Sequence, residues 1–167
     1  MPGLNLTRDE AIERAGIIKR VHTYRVDLDL RTDKDVFSSI VEIRFDAEPG
    51  ASTFIDAITS QVNSIELNGE RLDPALADGE RIALPNLAAQ NVLKIDAEMF
   101  YTNTGEGLHR FVDPADGEIY LYSQFEVPDS RRVFPVFEQP DLKAEFEFSV
   151  RVPSHWVVVS NQPEVKI

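Results

Sequence analysis

The sequence of 167 residues contains no cysteine, which excludes disulfide bonds, thiolate catalysis and metal sites built from thiolates. Basic residues are also few: 17 lysines and arginines stand against 29 acids, which gives a formal net charge of −12. Phosphate backbones and anionic membranes are bound by clustered lysine and arginine, so we expect no nucleic acid and no membrane partner. An acidic protein of this kind attracts cations, such as an amine-bearing substrate.

Long hydrophobic runs are absent as well. The longest apolar stretches, such as residues 156–159, have the length of a strand and fall far short of the ~20 residues that a membrane helix needs. The first ten residues contain no basic segment followed by an apolar one, so no secretory signal is visible. We therefore expect a cytoplasmic protein.

One segment near the N-terminus has the pattern of a helix. Thr7 and Glu10 have the spacing of a capping box, in which two side chains satisfy free N–H groups at a helix start. A rough stripe of apolar residues at helical spacing follows, formed by Ala11, Ile12, Ala15, Ile17 and Ile18. A helix of about twelve residues is marginal alone, so we expect it to dock on the rest of the protein.

After this segment the hydrophobic period changes from that of a helix to the two-residue alternation of a strand. The alternation and the turn signals predict strands at residues 24–30, 37–45, 52–55, 62–67, 81–84, 92–101, 118–122, 144–152 and 156–160, with polar turns at 31–35 and Asn68-Gly69. We therefore predict a mainly β, largely antiparallel protein with one short N-terminal helix. Residues 1–20 form the helical lead-in and residues 21–167 a single β-rich domain.

The sequence carries no complete motif for catalysis or metal binding. His22, His109 and His155 lack the spacing of a zinc site, and neither a nucleophile elbow nor a phosphate-binding loop is present. Asp113 and Asp116 stand in Asp-Pro and Asp-Gly pairs that are typical of turns, and the spacing of a calcium loop is missing.

Residues 122–144 differ from ordinary sheet sequence. Prolines exclude a plain helix or a central strand, and acids and two arginines alternate with phenylalanines. Charged groups beside apolar ones must be paired or hydrogen-bonded. The simplest interpretation is a loop in which Arg131 and Arg132 form forked ion pairs with Glu138 or Asp141.

The same segment carries a specific motif, read as Gln124-Phe125-Glu126, Ser130-Arg131-Arg132 and Phe134-Pro135-Val136-Phe137-Glu138-Gln139-Pro140, with Gly107-Leu108-His109-Arg110 upstream and Lys143-Ala144-Glu145-Phe146 downstream. It resembles the N-terminal domain of the zinc-dependent aminopeptidases of the aminopeptidase N (M1) family, and most of all the actinobacterial members. Two positions depart from the family pattern: Ser130 stands where alanine is usual, and Glu138 where aspartate is usual.

The resemblance implies a twisted, saddle-like sheet assembly that packs against a catalytic domain and takes part in removing the N-terminal residue from peptides. It implies that Glu126 binds the α-amine of the substrate and that Gln124 lines the same subsite, on a loop supported by Arg131, Arg132 and Pro140. The enzyme's Zn²⁺ would be held outside this chain, because the family's His-Glu-x-x-His helix is not in the sequence. We therefore expect part of a larger enzyme, inactive alone, whose partners are its own downstream catalytic domain and peptides with a free N-terminus.

Other interpretations remain at this point. A stand-alone β-sandwich module could bind peptides or glycans, although it needs exposed aromatic residues and the phenylalanines of the 122–144 segment are expected to be buried. Trp156 is likewise expected in the core. A hydrolase built on a carboxylate pair could use Glu118 and Glu126. A scaffold without catalysis could simply dock a partner domain.

Overall fold

The computed structural model describes residues 5–31 and 35–165 of the chain. Residues 1–4 of the expected lead-in and residues 32–34 of the expected polar turn lie outside the described residues. The described residues form one α-helix, α1 (Arg8–Ile17), and the strands β1 (Ile18–Asp29), β2 (Val36–Ala47), β3 (Thr53–Asp56), β4 (Thr59–Leu67), β5 (Glu70–Leu72), β6 (Arg81–Leu84), β7 (Gln90–Phe100), β8 (Gly107–Val112), β9 (Ile119–Gln124) and β10 (Glu145–Arg151). Two short 3-10 turns lie at Pro74–Leu76 and Ser130–Arg132.

The strands form one large sheet and two small ones. The large sheet has six strands in the order β10-β1-β2-β7-β4-β5, and β10 is parallel to β1 while the other neighbours are antiparallel. β3 pairs with β6, and β8 with β9, as separate antiparallel ribbons. Alternate residues of β2 and β7 are buried, so that Val41 lies opposite Ile95 and Ile43 opposite Leu93 in the core. The predicted fold class is confirmed.

The helix begins as predicted but docks differently. Glu10 N–H donates to Thr7 Oγ1 at 3.3 Å, and Thr7 N–H donates to the Glu10 carboxylate at 2.8 Å, which is the capping box. The apolar stripe docks only in part. Ile18 is 2% exposed and Ile17 packs against the core, but Ile12 is 61% exposed, whereas Arg14 is only 1% exposed. The reason is that Arg14 pairs with Asp56, a buried carboxylate that needs a cation beside it.

Most predicted strands are found with shifted ends, and the strand at residues 81–84 is found as predicted. Asn68 and Gly69 have φ angles of 55° and 83°, as a tight hairpin turn requires. The strand predicted at 156–160 is wrong: Val157 and Val159 are each 87% exposed, and within the described residues no strand lies alongside to pair with it. The strand β8 was missed because turn residues surround it on both sides.

The aromatic residues follow the expectation only in part. Phe134 and Phe137 are buried in the core as expected, but Phe125 is 36% exposed. Trp156 is half-buried and lies outside the core, so the core placement expected for it is wrong. It lies five residues beyond Arg151, the last residue of β10, and so it is not part of a strand that would direct it into the core.

An ion pair between Glu10 and Arg81 ties the start of α1 to β6, with Nη1 and Oε1 2.6 Å apart. The Arg81 guanidinium, helped by the Thr7 N–H, lowers the pKa of Glu10 from its ordinary value of 4.5 to about 2. A lowered pKa means that the folded state prefers the ionised carboxylate. The ion pair of Glu10 with Arg81 therefore contributes fully to stability above pH 4.5, and this contribution is lost as the pH falls toward about 2.

We predict that Glu10→Gln lowers the free energy of unfolding by about 1 kcal/mol at neutral pH, the upper range for a partly exposed ion pair. The difference from the unchanged chain should shrink between pH 4.5 and about 2. Urea unfolding at a series of pH values measures the free energy of unfolding of both chains. The matched control is Glu13→Gln, on the exposed face of the same helix. A difference that stays constant down to pH 2 would contradict this account.

Candidate functional site

The residues that the motif singles out lie where β9 ends and the chain turns back toward the core. Gln124 is the last residue of β9, and its side-chain Oε1 accepts the Glu126 N–H at 2.5 Å. Asp129 N–H donates to the Glu126 carbonyl at 3.1 Å and closes a turn. Gln124 and Glu126 are both exposed, whereas Asp129 is buried. The turn therefore presents Glu126 outward from an anchored base.

The chain after this turn is buried and fixes the turn to the sheets. Val136 and Asp56 exchange two backbone hydrogen bonds of 3.0 Å, which joins the segment to β3. Phe137 N–H donates to the buried Tyr24 hydroxyl at 3.1 Å, which joins it to β1. The loop thus has the rigidity of the core on one side, as a binding site needs.

A buried ionic cluster, which no pattern in the sequence predicts, lies beneath the same segment. Arg14 Nη1 and Asp56 Oδ2 are 2.6 Å apart, and both side chains are 1% exposed. Arg14 Nε donates to Gln139 Oε1 at 3.0 Å, and Glu138 N–H donates to Asp56 Oδ2 at 3.1 Å. The cluster joins α1, β3 and the motif segment at one point. No local pattern could have revealed it, since Arg14 and Gln139 are 125 positions apart.

Arg131 supports the loop with different partners from those expected. Its side chain is 1% exposed, and it donates to the Pro128 carbonyl at 2.9 Å and to Asn5 Oδ1 at 3.2 Å. The Glu138 carboxylate instead accepts the Ser130 hydroxyl and the Arg131 backbone N–H, both at 2.8 Å. The prediction that the Arg131 side chain forms a forked ion pair with Glu138 is therefore wrong. Burial raises the pKa of the Glu138 carboxyl, against the opposing effect of these two hydrogen bonds.

Arg132 joins two acids that lie on either side of the turn. Its Nε is 2.8 Å from Asp129 Oδ1, and its Nη2 is 3.2 Å from Glu106 Oε2. The expected pair with Asp141 is wrong, because Asp141 and Pro140 lie exposed at the far end of the segment. Asp129 is three positions from Arg132, and the β8–β9 hairpin brings Glu106 to the same place.

These residues surround a cleft of about 280 Å³ lined by Asn5, Glu106, Gln124, Glu126, Val127, Pro128, Asp129, Arg131 and Arg132. The structure thus brings four of the predicted residues together, and Pro140 lies outside the cleft. Of the acids in the cleft, Glu106 and Asp129 are bound by Arg132. The Glu126 carboxylate makes no hydrogen bond or ion pair with any described residue. It is thus available to bind a cation from outside.

Other predicted groupings do not form a site. Glu118 and Glu126 lie at opposite ends of β9, a strand of six residues and roughly 20 Å, which is too far for a carboxylate pair. Asp113 and Asp116 accept the N–H groups of Ala115 and Glu118 at 2.8 Å, as turn formers do. Within residues 5–31 and 35–165, no group of three or more acidic or histidine side chains could hold a metal ion. In the same residues, no helix has the length and apolar character to cross a membrane.

Comparison with known proteins agrees with the motif. Residues 21–167 match the protein family described as "Peptidase M1 N-terminal domain". Aminopeptidase N of Streptomyces lividans is 52% identical over an alignment 168 residues long, which covers 98% of this chain and 20% of that protein. The chain therefore spans about a fifth of the length of this relative.

Solved structures with the same fold include aminopeptidase A of Legionella pneumophila in complex with aspartic acid, at 14% identity and a TM-score of 0.64 over 78% of this chain and 16% of that one. Leukotriene A4 hydrolase from Saccharomyces cerevisiae has 20% identity and a TM-score of 0.64 over 78% and 23% of the two chains. At such identities the likeness shows the fold alone. Together with the match over residues 21–167, it leads to one conclusion: the chain belongs to the N-terminal domain family of the M1 peptidases.

Proposed function

We propose that this chain is the N-terminal domain of a zinc-dependent aminopeptidase and that Glu126 binds the α-ammonium group of the peptide substrate. The observation that carries the proposal is the unpaired Glu126 carboxylate among the described residues of the cleft, beside two acids that Arg132 holds. The identity of 52% to an aminopeptidase N over nearly the whole chain supports it.

The chemistry of a peptide N-terminus suits this arrangement. An α-amine has a pKa of about 7.7–8.0, so it is largely charged at neutral pH and pairs with a carboxylate. The Gln124 side chain already accepts the Glu126 N–H through Oε1. Its amide nitrogen is therefore left to donate to a carbonyl oxygen of the same substrate, since the ammonium group itself has no acceptor. An anchor at a fixed place admits only the first peptide bond to the catalytic groups. Binding energy at the amine is thus used to orient the scissile bond.

The zinc of this proposal belongs to another part of the enzyme. The described residues do not fit a metal ion, because they bring no suitable group of ligands together. We therefore place the Zn²⁺ ligands and the catalytic groups in a domain outside this chain, and no catalytic step is assigned to the residues described above.

The main partner proposed for this domain is that catalytic domain, with peptides as substrates. Two exposed aromatic residues on the edge strand β10, Phe146 at 47% and Phe148 at 44%, support an apolar contact with further protein. The division into a lead-in of residues 1–20 and a domain of residues 21–167 is supported by the family match, which begins at residue 21. A cytoplasmic location remains part of the proposal.

The test compares an aminoacyl anilide with its N-acetylated form, using the full-length enzyme that joins this chain to its catalytic domain. We expect hydrolysis of the free amine only, because acetylation removes the charge that Glu126 binds. The 167-residue chain alone should hydrolyse neither substrate, even with zinc added. Equal hydrolysis of both substrates by the enzyme would overturn the proposal. Peptide binding by the isolated chain without any turnover in the longer protein would favour the binding-module alternative.

A further inference from the structure

The cleft contains three charged side chains besides Glu126 that are joined by ion pairs. Arg132 binds Asp129 at 2.8 Å and Glu106 at 3.2 Å, and all three line the same cleft as Glu126. Glu106 is 48% exposed at its side chain, so the pair that it forms is only partly shielded from water. An ion pair of this kind contributes little to stability, and its presence in the cleft suggests another role.

The two acids belong to the two pieces of chain that flank Glu126. Glu106 directly precedes β8, whose first residue, Gly107, pairs with Gln124 at the end of β9. Asp129 closes the turn that begins at Glu126 by donating its N–H to the Glu126 carbonyl at 3.1 Å. Arg132 therefore connects the hairpin before Glu126 with the turn after it.

Close packing at Gly107 shows how tightly these pieces are joined. Gly107 has a φ of +63°, and a Cβ atom added there lies 2.7 Å from the Cβ of Arg132. No side chain fits in that space unless the backbone of the 3-10 turn moves. At Gly117, at the other end of the hairpin, φ is similar at +74°, but nothing lies within 4 Å of an added Cβ.

From these contacts we propose that Glu106 is a positioning residue that acts on Glu126 through Arg132. The inference rests on the proposed function of Glu126. Glu106 holds the Arg132 guanidinium between the β8–β9 hairpin and the turn from Glu126 to Asp129. Because the turn is then fixed relative to the hairpin, the Glu126 carboxylate keeps a constant position. The same pairing neutralises Glu106 and Asp129, so that the substrate amine meets one unpaired carboxylate rather than three mutually repelling ones.

The proposal predicts an effect on substrate binding without a matching effect on stability. In the full-length enzyme, Glu106→Gln should lower kcat/KM for an aminoacyl anilide by about tenfold, mainly by raising KM, because small misplacements of an orienting group are costly. The unfolding midpoint should stay unchanged. In a Glu126→Ala background the Glu106→Gln change should have no further effect, since the group that it positions is gone.

Matched variants make the test specific. Glu147→Gln removes a more exposed ion pair outside the cleft, with Arg25 at 3.2 Å, and should leave KM and stability unchanged. Gly107→Ala should raise KM more than Gly117→Ala, because only the former displaces Arg132.

The outcomes separate this inference from the proposed function. A tenfold effect of Glu106→Gln that disappears in the Glu126→Ala background supports the inference. A large effect of Glu126→Ala with normal kinetics of Glu106→Gln overturns the positioning role alone. An effect of Glu106→Gln that persists undiminished without Glu126, or that follows a loss of stability, also overturns it. Normal kinetics of Glu126→Ala overturn the proposed function itself.

Discussion

Replacing Glu126 by alanine in the full-length enzyme is expected to lower kcat/KM for an aminoacyl anilide by about 30- to 1000-fold, which corresponds to about 2–4 kcal/mol. The loss is large because the carboxylate is the one cleft acid with no partner among the described residues, so no neighbouring group is already placed to take over the amine. Glu126→Gln should cause a similar loss, since it keeps the size of the side chain but removes the charge.

A matched control distinguishes this effect from a general loss of negative charge. Glu66 is an exposed acid on β4, in the large sheet and outside the cleft, and Glu66→Ala should leave the kinetics unchanged. The metal content and unfolding midpoint of all three variants should equal those of the parent enzyme, because Glu126 and Glu66 are both exposed. Unchanged kinetics of Glu126→Ala would remove this residue from the substrate site.

Replacing Arg14 by alanine is expected to lower the free energy of unfolding of the chain by about 3–5 kcal/mol, the usual cost of removing one partner of a buried ion pair. The variant leaves the carboxylate of Asp56, which is 1% exposed, with only the more distant Arg81, whose Nε is 3.9 Å from Asp56 Oδ1. It also removes the hydrogen bond to Gln139, so the motif segment should loosen together with the helix.

Urea unfolding of the chain measures the effect of Arg14→Ala. The matched control is Arg44→Ala, because Arg44 pairs with Glu42 on the surface and is 52% exposed at its side chain. That control should cost less than about 1 kcal/mol. Equal losses for the two variants would show that the buried cluster does not hold the segment.

Features encoded by neighbouring residues could be predicted from the sequence. The alternation in residues 37–45 predicts a strand with one wet face, and β2 has that pattern of burial. The capping box at Thr7 and the turn at Asn68-Gly69 depend on interactions within a few positions. The motif from Gln124 to Arg132 is equally local, and its residues do surround one cleft.

Features that depend on distant residues could not be predicted. Asp56 is 42 positions from Arg14, and nothing near either residue indicates that the two are buried together. Several acids lie near Arg132 in the sequence, so the sequence alone does not show which of them pairs with it. Glu106 becomes a partner only because the β8–β9 hairpin brings it close. The parallel pairing of β10 with β1 likewise joins ends of the sequence that share no local pattern. The segment 156–160 has the composition of a strand but no described neighbour to pair with.

The most direct test of the central claim measures whether Glu126 and the substrate amine recognise each other. Inhibition constants are determined for two competitive inhibitors that differ only in the presence of an α-amine, with the parent enzyme and with Glu126→Ala. We predict that the amine improves binding by about 30-fold or more in the parent enzyme and by less than about threefold in the variant. An amine that improves binding equally in both enzymes would contradict the claim that Glu126 is its partner.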